Sequence, residues 1–477
     1  MKDISFKKAT IYNGISKYAI MIIQLGLTMI LARLLMPEAF GVVSIVVVIL
    51  NFLSLFADMG LGISIIQHPE MDKTKQRELF SFSIVLGVFV ALVMCLLAFP
   101  ISYIYSNSQY YILCPLLSIA GFFNTLNIIP NAVLTRDKRF DLIAVRGVLS
   151  ALIPGVIAIL LSYLGMGIYA LIFQYIFNAI FLFLWNYIKY PLLPKKFKCK
   201  SVFGLMGKYS LFQFLFNMVN YFTRNLDNLL IGAKLGDAQL GYYNKAYTLN
   251  LYPNSIFTSV FTGVLHPYIR DYKSDFNLLI ARVVEILKYI SFFGVFVSIV
   301  CFYCAPEIII ICFGTNWEPA IPCFQMLSIC MWAQMLSSVA GSVFLGIERT
   351  DKTFKCGIIN IIIIILGVFI GLSNKSIVIV SLCIGISYNL IFFITYFILI
   401  KETMKHSFFS FIRNFILDYI YLIICFAIFT KFAPQFNFGV WIDLMLKILL
   451  CLVAFGLYII LLKKYRLVLN MIKYLKK

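Results

Sequence analysis

The sequence predicts an all-α integral membrane protein of about fourteen transmembrane helices, and three observations carry that expectation. Of 477 residues, 62% are apolar and only 13% charged, with a mean hydropathy of +0.95. Soluble domains run at roughly 45–50% apolar and about 25% charged, so an excess of this size has no water-surrounded core to fill. Apolar runs of helical length also recur along the whole chain, and this length holds about fourteen spans of roughly 20 residues with short connections. Finally, Lys and Arg alternate between successive connections, as a membrane topology requires. The same arithmetic leaves no room for a large soluble catalytic domain.

Apolar runs bounded by charges, Gly, Pro and Asn place the spans near 12–35, 40–66, 80–105, 111–134, 146–164, 167–188, 208–233, 242–265, 283–305, 319–346, 356–373, 376–400, 412–432 and 441–462. Residues 1–8 are basic, but the apolar stretch after them is too long for a signal peptide and has no small-residue cleavage site; it reads as a retained first span. With the N-terminus inside, the cytoplasmic connections carry Lys73, Lys75 and Arg77; Arg136, Lys138 and Arg139; Lys195, Lys196, Lys198 and Lys200; Arg270 and Lys273; Arg349, Lys352 and Lys355; and Lys401 and Lys405. The tail adds Lys463, Lys464, Arg466, Lys473, Lys476 and Lys477. Opposite connections such as 105–111, 164–168 and 307–319 have no positive charge, and the exceptions are Lys234, Lys245, Lys375, Lys431 and Lys447. Both termini are therefore expected in the cytoplasm.

This asymmetry also accounts for the net charge of +20. No basic cluster sits in a foldable soluble segment, so no nucleic-acid partner is expected. Cysteines such as Cys95, Cys330, Cys383 and Cys425 lie in apolar runs and read as small hydrophobes; Cys301 and Cys304 have CxxC spacing inside a span, where packing is the better reading. His68, His266 and His406 lie far apart and form no ligand pattern. No metal or organic cofactor is expected, and no Walker sequence is present for ATP hydrolysis.

One long-range echo organises the chain. Ala32-Arg33-Leu34-Leu35-Met36-Pro37-Glu38-Ala39-Phe40-Gly41 matches Ala233-Lys234-Leu235-Gly236-Asp237-Ala238-Gln239-Leu240-Gly241 with one gap, at the outer ends of spans one and seven. Six intervening spans, an even number, give both copies the same direction, so two parallel six-helix lobes are expected. The boundaries are an N-terminal lobe over 1–190, a linker over 191–207, a C-terminal lobe over 208–400, and a trailing helix pair with a basic tail over 401–477.

Blocks spread over nearly the whole chain then carry a family resemblance. They are Ala32-Arg33-Leu34-Leu35-x-Pro37-x-x-Phe40-Gly41; Asp58-Met59-Gly60-Leu61 with Ile65-Ile66-Gln67; and Pro130 with Leu134-Thr135-Arg136-Asp137-Lys138-Arg139-Phe140. Gly165-Met166-Gly167-Ile168-Tyr169-Ala170-Leu171, Thr223-Arg224-Asn225-Leu226-Asp227-Asn228-Leu229-Leu230-Ile231-Gly232, and Gly241-Tyr242-Tyr243 follow. Pro267-x-x-Arg270, Phe313-Gly314-x-x-Trp317 and Gly346-x-x-Arg349-Thr350-Asp351 complete the set. The chain resembles the Wzx-type polysaccharide flippases of the multidrug/oligosaccharidyl-lipid/polysaccharide exporter superfamily, in the colanic-acid and teichuronic-acid exporter branch. It departs from the pattern at Thr135, where the family usually has Gln, and at Tyr169, where it usually has Trp. The resemblance implies a MATE-like fold in a bacterial inner membrane. It also implies movement of an undecaprenyl-diphosphate-linked oligosaccharide to the outer leaflet, for O-antigen, capsule or exopolysaccharide assembly. Membrane lipids, and polymerase and glycosyltransferase machinery, are the implied partners.

Ionisable groups inside spans cost roughly 2.5–3.5 kcal/mol each, so they mark candidate sites. Arg224 and Asp227 lie near the middle of span seven, three residues apart and able to pair. Arg224 either faces a substrate diphosphate with its guanidinium fork or belongs to an internal salt bridge. Asn225 and Asn228 extend the polar strip. Lys17 and Gln24 in span one are either cavity-lining or, for Lys17, snorkelling to the headgroups. Asp58, before Gly60 and Gly62, marks a helix break or a carboxylate for H⁺ or Na⁺ coupling. Arg33 and Lys234 at outer helix ends are snorkelling cations or gate residues. Arg136, Lys138, Arg139 and Arg146 form a basic cluster that reads as a topology signal and lipid contact, with an entry patch for a diphosphate as the alternative. Gly367-x-x-x-Gly371 reads as a packing notch. The competing function is an ion-coupled multidrug exporter on the same fold. An embedded polymerase or glycosyltransferase is disfavoured, because the longest outer connections hold only Asp237, or Glu307 and Glu318, with no His partner and no DxD.

Overall fold

The fourteen predicted stretches are largely helical in the computed structural model, with breaks inside 40–66, 319–346 and 412–432; it describes residues 6–68, 70–196, 208–272, 275–432, 434, 436, 438–467 and 469. Positions 197–207 of the expected linker, Lys273, and Lys473, Lys476 and Lys477 of the tail lie outside the described residues, as do the side chains of His266, Pro267 and Arg270. In chain order the helices are α1 (Phe6–Leu34), α2 (Pro37–Asp58), α3 (Leu61–Gln67), α4 (Lys73–Tyr105), α5 (Tyr110–Arg136), α6 (Phe140–Tyr163), α7 (Ile168–Lys189), α8 (Lys208–Leu235) and α9 (Asp237–Tyr272). Then come α10 (Phe276–Tyr303), α11 (Ala305–Phe313), a 3-10 turn (Thr315–Ala320), α12 (Ile321–Ser328), α13 (Met331–Gly346), α14 (Thr350–Ser373), α15 (Ile377–Phe397) with a π-helical extension (Ile398–Thr403), α16 (Phe408–Ile412), α17 (Ile416–Phe432) and α18 (Val440–Leu461). No strand occurs among the described residues.

Ten of these helices are long and apolar enough to cross a membrane alone, and eleven spans result when the pair 315–328 and 331–346, bent by 55°, counts as one. Outside that set stand α8 and α9, long helices interrupted by polar residues, and α17, which has 17 residues. The chain is a multi-pass membrane protein.

Contacts divide the chain into two compact units, 1–241 and 242–477. In the first, α1 packs on α6, α4 on α5, α5 on α7, and α8 along α2. Small residues set the close approaches: a Cβ at Gly155 would lie 2.1 Å from Leu27 Cδ1. Leu61, Ile65, Leu79, Phe80, Ile129 and Phe183 form a core between α3, α4, α5 and α7. The α2–α3 break falls at Met59 (φ 37°) and Gly60 (φ 85°), left-handed conformations that end one helix and start the next.

In the second unit, α10 packs against α13, α17 and α18 around Trp332, Phe392, Tyr396 and Tyr458. The expected notch on α14 is present. Gly371 lies so close to α15 that a Cβ would stand 2.5 Å from Val380 Cα, and one at Gly367 would stand 2.5 Å from Ser387 Oγ.

Candidate functional site

The strongest sequence candidates fall on α8, and the structure separates them. Arg224 is exposed, while Asp227 and Asn228 are each 3% exposed. No ion pair joins Arg224 to Asp227 among the described residues, which corrects the expected pairing. Three-residue spacing brings the two Cβ atoms near one another, but the Asp227 carboxylate is engaged elsewhere: its Oδ1 accepts from the Asn228 backbone N at 2.8 Å and from Asn228 Nδ2 at 3.3 Å. Asn225 turns back onto its own helix, its Nδ2 donating to Tyr221 O at 2.8 Å. The Tyr221 hydroxyl donates to Val48 O on α2, and the Phe222 and Phe52 rings meet edge-on. Thus one side of α8 is fixed on α2 and Arg224 stands clear of it.

Lys17 and Gln24 are both exposed and lie seven residues apart on one face of α1. Arg33 and Lys234 are exposed near the last residues of α1 and α8. Asp58 sits at the α2–α3 break, where its Oδ1 accepts from Gly62 N at 3.1 Å, a capping contact for a donor that α3 cannot satisfy itself.

The internal repeat has a structural counterpart within the first unit. Each copy is a tight turn between two helices, α1 to α2 and α8 to α9, and the two turns cross at their glycines. A Cβ on Gly41 would lie 1.8 Å from Asp237 O, and one on Gly241 would lie 2.0 Å from Pro37 O. Pro37 and Asp237 are the first residues of their helices, so the contact is reciprocal. Only a residue without a Cβ fits at either point. Asp237 adds a polar fastening: Oδ1 accepts from Tyr110 Oη at 2.8 Å and Oδ2 from Asn107 Nδ2 at 2.8 Å.

The basic cluster Arg136, Lys138, Arg139 and Arg146 does not act as one patch. Arg136 bonds Asp137 at 2.9 Å and Arg139 bonds Asp141 at 3.2 Å, each paired to a neighbouring carboxylate. Arg146 instead points into the packing of α5, α6 and α7. Its Nη1 donates to Asn131 Oδ1 and to Asn186 Oδ1, both at 2.8 Å, and Asn186 Nδ2 donates to Asn127 Oδ1 at 2.6 Å. Asn186 is fully buried. Sequence reasoning missed this clamp. The available signal was Arg146 lying a full turn and more inside its helix, with Asn127 and Asn131 spaced four apart on the helix before it.

Two ion pairs on buried carboxylates in the second unit were missed as well. Lys447 Nζ on α18 lies 2.6 Å from Glu307 Oε1 on α11 and 5.2 Å from the Tyr303 ring centre. Lys464 lies 2.7 Å from Asp418 Oδ1, while Asp418 Oδ2 accepts from Ser291 Oγ at 2.6 Å and Trp332 Nε1 donates to that same Ser291 Oγ at 2.8 Å. Lys447 had stood out as an exception to the charge asymmetry; its partner explains why it is tolerated in an apolar helix. Among the described residues no group of three or more His, Cys, Asp or Glu is placed to hold a metal ion.

Comparison with known proteins fits this architecture. The lipopolysaccharide biosynthesis protein WzxC of Escherichia coli K12 is 22% identical over 405 residues, covering 83% of this chain and 81% of its own. The structure of the lipid II flippase MurJ in an inward closed conformation superposes with a TM-score of 0.71 at 16% identity, covering 95% of this chain and 99% of MurJ. An inward-facing MATE-family multidrug transporter gives 0.61 at 14% identity, covering 87% and 96%. The fold is therefore the MATE-like one that the sequence predicts. A family model described as polysaccharide biosynthesis protein matches residues 30–322, more than half of the chain, and the chain belongs to that family.

Proposed function

We propose that the chain is a flippase that moves undecaprenyl-diphosphate-linked oligosaccharide repeat units from the cytoplasmic to the outer leaflet of a bacterial inner membrane, feeding a polymerase that builds a surface polysaccharide. It works by alternating between states open to either face, with both termini cytoplasmic. The reading makes it a transporter and assigns it no reaction of its own. The observation that carries it, beside family membership, is the charge inside the first unit. Lys17, Arg146 and Arg224 lie in or beside predicted spans, and none has a carboxylate in ion-pair range among the described residues. Cations kept without counter-charge suit a phosphate-bearing cargo, because the guanidinium fork matches phosphate oxygens.

A multidrug exporter for organic cations needs the opposite arrangement, a carboxylate open to the ligand. The carboxylates in the first unit's predicted spans are otherwise occupied: Asp58 caps a helix and Asp227 bonds Asn228. Coupling to H⁺ or Na⁺ belongs to the same proposal, with Asp58 as its candidate; an Asp58→Asn protein whose transport still follows the ion gradient removes it.

The test is depletion of the protein in its host, with the leaflet distribution of the lipid-linked repeat unit as readout. Accumulation on the cytoplasmic leaflet with loss of surface polysaccharide is expected. Normal distribution together with raised sensitivity to cationic drugs reverses the assignment. Arg224→Ala is expected to abolish transport while the protein inserts and accumulates normally, and wild-type transport by that variant takes Arg224 out of the mechanism.

A further inference from the structure

Arg146 is held in an unusual way for a cation inside a membrane helix. Helix α6 carries it about 9 Å beyond its first residue, at 1.5 Å per residue. This is the end of the first unit from which the basic connections emerge: α5 stops at Arg136, α7 at Lys189, and α4 starts at Lys73. Arg146 therefore lies in the second turn of a 24-residue helix, near that end and not at its middle.

Both donated hydrogen bonds leave from Nη1, and both acceptors are neutral amides, Asn131 and Asn186. Asn186 is oriented in turn by Asn127, so three helices fix the guanidinium plane before any ligand arrives. The opposite edge of the fork, Nε with Nη2, is the one that grips a pair of oxygens side-on. Nε lies buried there with no acceptor. A buried donor on a charged group is costly to leave unmade, and an uncompensated guanidinium at this depth is costlier still. Packing alone does not require the charge, since a neutral amide or an aliphatic chain would fill the same space between α5 and α7 more cheaply.

The geometry points to an oxyanion site in which Arg146, oriented by Asn127, Asn131 and Asn186, takes a phosphate of the cargo's diphosphate on the side where the basic connections lie, the packing over Nε giving way as the phosphate binds. This inference rests on the flippase reading and deepens it: the headgroup is captured within the first unit, by an arginine that three asparagines hold in place. Arg146 is a binding residue and the three asparagines are positioning residues.

Thermal unfolding of the full-length protein in detergent tests the site, with undecaprenyl diphosphate as the probe, undecaprenol as the phosphate-free control, and phosphatidylglycerol as the competing source of a phosphate oxyanion. The wild type is expected to be stabilised by undecaprenyl diphosphate and not by undecaprenol. Arg146→Gln, which keeps donors for the asparagines but loses the charge, should bind the probe at least about tenfold more weakly, the scale of one charge-assisted hydrogen-bond pair. Arg146→Lys keeps the charge without the fork and should fall between the two, and it carries the test if the Gln variant does not fold. Equal stabilisation of wild type and both variants overturns the site while leaving the flippase reading intact. If phosphatidylglycerol stabilises the wild type as strongly, and through Arg146, the site belongs to bulk lipid and the cargo assignment is overturned. If undecaprenyl diphosphate does not stabilise even the wild type, the flippase reading itself fails and the site falls with it.

Discussion

The two units bury cations in opposite ways. In the second, Lys447 rests on Glu307 and Lys464 on Asp418, each a carboxylate buried to more than nine-tenths, with aromatic rings alongside. In the first, Arg146 rests on two amide oxygens and no carboxylate. Lysine with a matched acid is a closed account of charge: the pair ties α17, α18 and the residues after them to α10 and α11. Arginine on amides is positioned but not neutralised, and an anion remains to be supplied from elsewhere. The contrast separates charges that hold the fold from charges that serve the cargo.

The largest effect follows from breaking a closed pair. Lys464→Met leaves the fully buried Asp418 without its cation and should cost about 3–5 kcal/mol of unfolding free energy, whereas Lys464→Met with Asp418→Ala should recover most of it. Denaturant unfolding in detergent reads both. A double variant as unstable as the single one would mean that the network works through Ser291 and Trp332, not through charge.

The crossing of the two repeat turns is expected to come next. Gly41→Ala drives a methyl into the Asp237 carbonyl, which is backbone and cannot swing aside, so a cost of about 1–3 kcal/mol is expected. Because the contact is reciprocal, Gly241→Ala should cost about as much, and a neutral result at either position would show that the crossing is not tight.

Arg146→Gln gives the sharpest contrast with Lys464→Met. No buried acid is orphaned, so stability without ligand should move by no more than about 1 kcal/mol, while transport is impaired. A loss on the scale of the ion-pair variants would place Arg146 among the fold's own fastenings.

Acid should do least. Asp72, at the start of α4, is held below its ordinary range of 3.8 by the Thr74 hydroxyl, and Glu70, below 4.5, by a backbone N–H and then by His68. A depressed folded-state pKa gives stability that is present above the unfolded value and lost as pH falls through the folded one. The contacts of Glu70 and Asp72 should therefore loosen only below about pH 4.5, read as faster hydrogen exchange at the start of α4 and little change in global unfolding, since both groups face solvent.

Much of this was legible in the sequence. Apolar runs, loop charge and the Asp58–Gly60 break are local properties, and the predicted stretches are largely helical because each helix satisfies its backbone internally whatever its neighbours do, although 40–66, 319–346 and 412–432 are broken within. The repeat was legible as a pattern, although that its glycines would pack on each other was not. Partners distant in sequence were the hidden part. Arg146 was grouped with Arg136 and Arg139 by proximity along the chain, yet Asn186, 40 residues on, decides its environment. Glu307 and Lys447 lie 140 residues apart. For Arg224 and Asp227 the spacing put two Cβ atoms together but said nothing of which neighbour each side chain would choose.

The most direct measurement is transport by the purified chain alone. Reconstituted into vesicles with a fluorescent undecaprenyl-diphosphate oligosaccharide, the wild type should carry the lipid between leaflets far faster than protein-free vesicles, and Arg146→Gln and Arg224→Ala should not. Wild-type vesicles that exchange the lipid no faster than empty ones would contradict the account.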